Sequence, residues 1–156
     1  MKHPARLLLI LATALSVAAT LHADTSLTAY GTYWEGDDTG KGGGLRLKKT
    51  FLGFGAVEGR GGYVEFSNTN TEIYPLDISI NARLPFIISP YAGIGAGYYY
   101  TRSDRAELDN ISGYFGQIGV EATLVWFGAM AEIRFHDLEG SYFDGRSVNI
   151  GLLLKW

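Results

Sequence analysis

Alternation of apolar and polar residues with a period of two constrains this 156-residue chain more than any motif does. Its plainest instance is the final stretch, Ser147 to Trp156 (SVNIGLLLKW). Val148, Ile150, Leu152, Leu154 and Trp156 fall on one face, and Ser147, Asn149, Gly151 and Lys155 on the other. Successive side chains of a strand point to opposite faces, so the pattern specifies a strand with one apolar and one polar side.

Eight segments of this character are predicted, at 26–34, 42–50, 56–66, 72–84, 90–101, 112–125, 128–137 and 147–156, each bounded by turn or loop residues. In the fourth, Leu76, Ile78, Ile80, Ala82 and Leu84 alternate with Asp77, Ser79, Asn81 and Arg83. In the sixth, Ile118, Val120, Ala122 and Leu124 oppose Gln117, Gly119, Glu121 and Thr123. The seventh sets Ala131, Ile133 and Phe135 against Glu132, Arg134 and His136. The third is the least regular: its parity fails between Val57 and Val64, which predicts a bulge at Gly61 and Gly62.

The N-terminus reads as an export signal. Lys2 and Arg6 precede an apolar and small-residue run from Leu7 to Ala19, and Ala23 offers a cleavage point. Residues 1–23 are expected to be the signal peptide and 24–156 the barrel domain. Cleavage there removes two of thirteen basic residues and none of sixteen acidic ones, leaving a formal net charge of −5. No later run reaches the roughly 18 apolar residues of a membrane-spanning helix. No basic patch points to nucleic acid, and the absence of cysteine rules out disulfides and thiolate metal sites. Neither a metal nor a cofactor is expected.

Connection lengths give an orientation. The polar connections EGDDTGK (35–41), SNTNTE (67–72), RSDRAELDN (102–110) and LEGSYFDGR (138–146) fall at one end. Shorter or more apolar ones, around Phe51 to Gly55, Pro85 to Ser89 and Trp126 to Phe127, fall at the other. Long outer loops and short periplasmic turns are the expected asymmetry of an outer-membrane barrel.

A soluble barrel with its apolar face inward would alternate equally well. Three features favour the membrane. Aromatic residues gather at the strand ends in two groups: Tyr33, Trp34, Phe66, Tyr98, Tyr100, Tyr114 and Phe135 toward the outer loops, and Phe51, Phe54, Phe86, Tyr91, Trp126, Phe127 and Trp156 toward the turns. Such girdles suit the two headgroup layers. The polar face carries cations and anions together: Arg46, Lys48, Arg60, Arg83, Arg134 and Lys155 against Glu58, Glu65, Asp77, Glu121 and Glu132, with His136 beside them. Gly93, Gly95, Gly97 and Gly119 share that face. A narrow interior needs small residues and paired charges. The export signal joined to a terminal aromatic strand is the third feature.

On its alternating fourth, sixth and eighth strands, the glycine-rich GIGAGYYY of Gly93 to Tyr100, and the aromatic end IGLLLKW, the chain resembles the small eight-stranded outer-membrane β-barrels of Gram-negative bacteria, the porin-like and opacity-like group. The resemblance implies an all-β, antiparallel, up-and-down transmembrane barrel in the outer membrane, monomeric among lipids and lipopolysaccharide. It implies delivery by periplasmic chaperones and insertion by the barrel assembly machinery, which would read Ile150, Leu152, Leu154 and Trp156. Trp156 stands where the group more often has Phe.

Several local patterns invite a chemical reading. Asp38-Thr39-Gly40 matches an aspartyl protease triplet but sits in a polar loop without the surrounding hydrophobic strand. Gly40-Lys41 resembles the end of a phosphate loop, yet Gly42 stands where Ser or Thr must meet magnesium. Asp37 and Asp38, or Asp104, Glu107 and Asp109, offer hard oxygen ligands without calcium-loop spacing. Arg102, Arg105 and Arg146 are the residues expected to contact lipopolysaccharide phosphate. Lipid A deacylases of this architecture use a His-x-Ser pair with a following carboxylate. Here His136 is followed by Leu138 rather than Ser, with Glu139 and Ser141 beyond, so the nucleophile is missing. Eight strands leave an interior just wide enough for side chains. The favoured function is therefore a structural or surface-interaction barrel (adhesion or envelope stabilisation), with a narrow porin or small-molecule carrier as the alternative and a lipid A-modifying enzyme behind both.

Overall fold

The computed structural model describes residues 24–103, 110–138 and 144–156. The expected leader, Arg105 and the acidic residues Asp104, Glu107 and Asp109, with Glu139 and Ser141, lie outside the described residues. Eight strands follow in order: β1 (Asp24–Gly36), β2 (Thr39–Phe51), β3 (Gly55–Phe66), β4 (Thr71–Arg83), β5 (Ile88–Ser103), β6 (Ile111–Leu124), β7 (Phe127–Leu138) and β8 (Gly145–Lys155). Each pairs antiparallel with its neighbours in sequence, and β8 pairs with β1 to close the barrel. At that seam Thr25 N donates to Trp156 O at 3.0 Å and Trp156 N to Thr25 O at 2.9 Å. Closure leaves no strand edge unpaired, which a spanning sheet requires in lipid.

Parity sorts the side chains. Leu76, Ile78, Ile80, Ile94, Ile150 and Leu152 all point outward and are more than half exposed, Leu152 reaching 74%. The opposite faces of the same strands carry buried Asp77, Ser79, Asn81 and Asn149. An apolar band of this extent is unfavourable in water at about 25 cal/mol per Å², whereas it suits hydrocarbon. The apolar face is therefore the outer one.

Three expectations are corrected. First, β3 has no bulge: its register runs unbroken against β2 from Gly40↔Phe66 to Phe51↔Gly55, and against β4 the pairs from Gly55↔Ala82 to Phe66↔Thr71 stay in phase. The parity of the strand holds. What changes along it is the chemistry of the lumen, which turns apolar at Val64 and Phe66, so Glu65 faces outward and is not part of the interior network. Second, Trp34, Phe66 and Tyr91 are not girdle residues but lie inside, at 2%, 1% and 8% exposure. Tyr33, Tyr98, Tyr100, Tyr114 and Phe135 remain outside at the long-loop end, and Phe54, Phe86, Trp126, Phe127 and Trp156 at the other. Third, the first long connection shrinks to a turn at Asp37 and Asp38, with Thr39 to Lys41 already in β2. A polar residue facing water does not end a ladder, so the sheet continues beyond its apolar belt.

Glycines make room for the larger interior groups. A Cβ on Gly44 would lie 2.5 Å from Gly61 O and 2.7 Å from the Tyr30 hydroxyl. One on Gly95 would run into the ring of Phe115. The glycine run in β5 therefore serves packing inside the wall.

Candidate functional site: a lumen filled in layers

The middle of the lumen is a network of buried charges drawn from five strands. Arg60 on β3 grips Glu132 on β7 with both terminal nitrogens, at 2.6 and 2.7 Å, and reaches Glu58 at 2.8 Å. Arg134 on β7 holds Asp77 on β4 in the same forked way, at 3.0 and 2.8 Å. Its guanidinium carbon sits 3.7 Å from the centre of the Phe115 ring. Arg46 on β2 is fully buried and reaches Thr28, Glu58 at 3.3 Å and Glu121 at 2.5 Å. Lys48 also bonds Glu121, and Arg83 approaches it at 3.6 Å. Forked Arg–carboxylate pairs are the strong form of this interaction. They offset the desolvation of burying charge only when the remaining donors and acceptors are also met.

Neutral side chains meet many of those remaining needs. Gln117 Nε2 donates to Asn81 Oδ1 at 2.6 Å and Glu58 at 3.1 Å, while its oxygen accepts from Arg134 Nε at 3.1 Å. The Tyr91 hydroxyl donates to Glu132 at 2.6 Å, and Asn149 Nδ2 to the same carboxylate at 3.1 Å. Of the charges expected inside, Arg46, Lys48, Glu58, Arg60, Asp77, Glu121, Glu132 and Arg134 meet in this layer. Arg83 and Lys155 lie at the short-turn rim, Lys155 paired with Asp24 at 2.8 Å. Sequence reasoning missed Tyr30, Tyr91 and Phe115 as interior groups. Their parity, shared with Thr28, Gly93 and Gln117, carried the signal.

Toward the long-loop end the lumen is closed by an apolar cluster of Trp34, Val64, Phe66, Ile73, Tyr99 and Leu138. Trp34 packs edge-on to Phe66 and Tyr99 and stacks on His136, with ring centres 3.9 Å apart. Beneath this cap, His136 Nε2 lies 2.9 Å from Ser147 Oγ and its Nδ1 lies 3.4 Å from the Tyr99 hydroxyl. Folding thus supplies a Ser–His contact that the residues near His136 in sequence lacked. A nucleophile–base pair also needs an orienting group and room for substrate. Among the described residues no carboxylate holds the second ring nitrogen, which faces the Tyr99 hydroxyl instead, and the adjoining cavity measures about 10 Å³.

At the outer tip, Asp38 ties two turns together. Its Oδ1 accepts from Thr39 N at 2.7 Å, and its Oδ2 from Thr69 N at 3.1 Å and Thr69 Oγ1 at 2.9 Å. Desolvation opposes ionisation, but these hydrogen bonds outweigh it and hold the carboxyl below the ordinary aspartate range. The Asp-Thr-Gly triplet is therefore a turn clamp. Glu35 and Arg146 form an exposed pair at 2.8 Å on the same rim, and Arg102 is exposed there too. Among the described residues no group of His, Cys, Asp and Glu is placed to hold a metal ion.

No protein-family model matches the chain, and no curated protein matches its sequence. Solved structures do match. The outer membrane protein OprG from Pseudomonas aeruginosa superposes with a TM-score of 0.64 at 14% identity, covering 86% of this chain and 95% of that one. Neisserial surface protein A gives 0.61 at 13% identity, covering 85% and 95%. A de novo designed transmembrane β-barrel gives 0.53 at 14% identity, covering 84% and 95%. At such identities the likeness is one of fold. With its apolar outer belt and closed eight-strand ladder, the chain has the fold of the small eight-stranded outer-membrane β-barrels of Gram-negative bacteria.

Proposed function

We propose that the protein is exported through residues 1–23, embeds in the outer membrane of a Gram-negative bacterium, and acts there as a structural or surface-interaction barrel rather than a wide pore. The observation that carries this reading is the blocked lumen. The cap around Trp34 and Phe66 lies over a layer of forked ion pairs, and the cavity between them measures about 10 Å³. Function then falls to the outside of the barrel. Arg102 and Arg146, with Arg105, are suited to lipopolysaccharide phosphate, and the outer loops to a surface partner. The terminal strand, with Ile150, Leu152, Leu154 and Trp156 all outward-facing, is the segment the assembly machinery and its chaperones would read. The Ser147–His136 pair does not favour a hydrolase, because it lies beneath the aromatic cap and no carboxylate among the described residues orients the His136 ring.

The test combines gel mobility with conductance. Protein from the outer-membrane fraction is expected to shift on boiling in SDS, and the pure protein to give no steady conductance in planar bilayers. Steady single-channel currents would overturn this reading in favour of a narrow porin or carrier. Recovery in the soluble periplasm without a gel shift would overturn the membrane location.

A further inference from the structure

The lumen is filled in the middle and capped at the long-loop end, but at the short-turn end it opens into a polar cavity of about 410 Å³. Its charge is unbalanced. Among the described residues the interior network holds five cations, Arg46, Lys48, Arg60, Arg83 and Arg134, against four carboxylates, Glu58, Asp77, Glu121 and Glu132. The rim pair Lys155–Asp24 is neutral. Asp77 is taken up by Arg134, and Glu58 and Glu132 by the guanidinium of Arg60. Arg46 bridges Glu58 and Glu121, while Lys48 and Arg83, which both line the cavity, share the single carboxylate of Glu121, so positive charge exceeds negative at the mouth.

A second observation is independent of that count. Four buried side-chain polar atoms among the described residues have no hydrogen-bond partner, and two of them, Ser26 Oγ and Arg83 Nε, belong to residues lining this cavity. Ser26 is 3% exposed. Buried donors are rarely left unmet, and a hydroxyl beside a guanidinium and an ammonium makes a donor set for an oxyanion. Leu153 forms part of the wall, and Phe86, Ile87 and Val125 rim the opening. That surface favours an anion carrying a short apolar group.

We propose that the short-turn mouth of the barrel is a binding site for a small oxyanion, a carboxylate or a phosphate, held by Lys48, Arg83 and Ser26. Glu121 does not oppose it, since three cations already surround that carboxylate. The site takes its ligand from the periplasmic side and stands apart from any role of the outer loops. A carboxylate would come from a short peptide or alkanoate, a phosphate from a free monoester or inorganic phosphate.

The test is an NMR titration of the isotope-labelled protein in detergent micelles, with butyrate and with inorganic phosphate as probes and chloride at equal ionic strength as control. Saturable shifts are expected at the Ser26, Lys48 and Arg83 amides. Ser26→Ala and Arg83→Gln should weaken binding, the latter roughly tenfold or more, while Lys41→Gln, at an exposed position at the far end of β2, leaves it unchanged. The boiling-dependent gel shift, measured on every variant, reads the barrel separately from the site. Saturation by butyrate alone makes the ligand a carboxylate, by phosphate alone a phosphate, and by both supports the shared oxyanion chemistry. Absence of saturation with either probe, equal shifts with chloride, or unchanged affinity in Ser26→Ala and Arg83→Gln together would overturn the proposal.

Discussion

Arg60 shows how much of the interior depends on single side chains. It serves two carboxylates, so Arg60→Ala leaves Glu132 and Glu58 short of a cation in a desolvated layer. The expected loss is about 3 to 5 kcal/mol in urea unfolding followed by tryptophan fluorescence. Replacing Glu132 as well, as in Arg60→Met with Glu132→Met, should recover part of that loss, because one stranded charge is removed while Glu58 keeps Arg46 as a partner. Asp38 makes a prediction of opposite character at the surface. Its folded-state pKa lies below the ordinary 3.8, so its contribution is complete above that value and is lost as pH falls through the lower folded one. Proteolysis of the outer turns should therefore quicken at acid pH in the wild type. In Asp38→Asn, whose single amide oxygen can accept from Thr39 or from Thr69 but not from both, it should be faster at neutral pH and flatter in its pH dependence. Parity made the charged interior residues legible one by one. It equally pointed Trp34, Tyr91 and Phe66 inward, but proximity to strand ends drew them into the girdles; only one of two adjacent residues such as Tyr33 and Trp34 can face lipid.

Each strand of the barrel repeats one rule, and β8 obeys it most plainly. Leu152 faces outward at 74% exposure, while its neighbour Leu153 is buried in the lumen wall at 3%. Leu152→Arg should therefore impair insertion by roughly 2 to 4 kcal/mol if the site lies near the midplane, read as loss of the folded gel form in liposome refolding. Leu153→Ser, one residue away and on the polar side, should insert far better, and equal damage at both positions would contradict the assignment of faces. At this scale the sequence located every strand to within a few residues. It failed where a change of environment imitated a change of phase. Val64 and Phe66 turn inward because the lumen becomes apolar there, and the intact register of β3 shows that no bulge is needed. Loop lengths were overestimated for a related reason: hydrogen bonding to a neighbouring strand extends through polar residues once they stand in water.

The closed barrel has two barriers in series, and their independence is testable. Removing the aromatic cap with Trp34→Ala and Phe66→Ala should destabilise the protein by several kcal/mol, since large-to-small changes in packed cores cost about 3 to 5 kcal/mol each. Planar-bilayer conductance should nonetheless stay at zero, because the Arg60–Glu132 and Arg134–Asp77 layer still closes the lumen. Period-two alternation is a local property, so the residues by themselves determined an all-β chain, its eight strands, the two faces of most of them and the order of polar and apolar connections. Closure is not local. Only the folded barrel decided that Arg46 meets Glu121, a residue 75 positions away, that Ser147 lies against His136, and that the lumen is capped at one end and open at the other. Those contacts depend on how the strands are staggered around the barrel, which no single strand's pattern encodes.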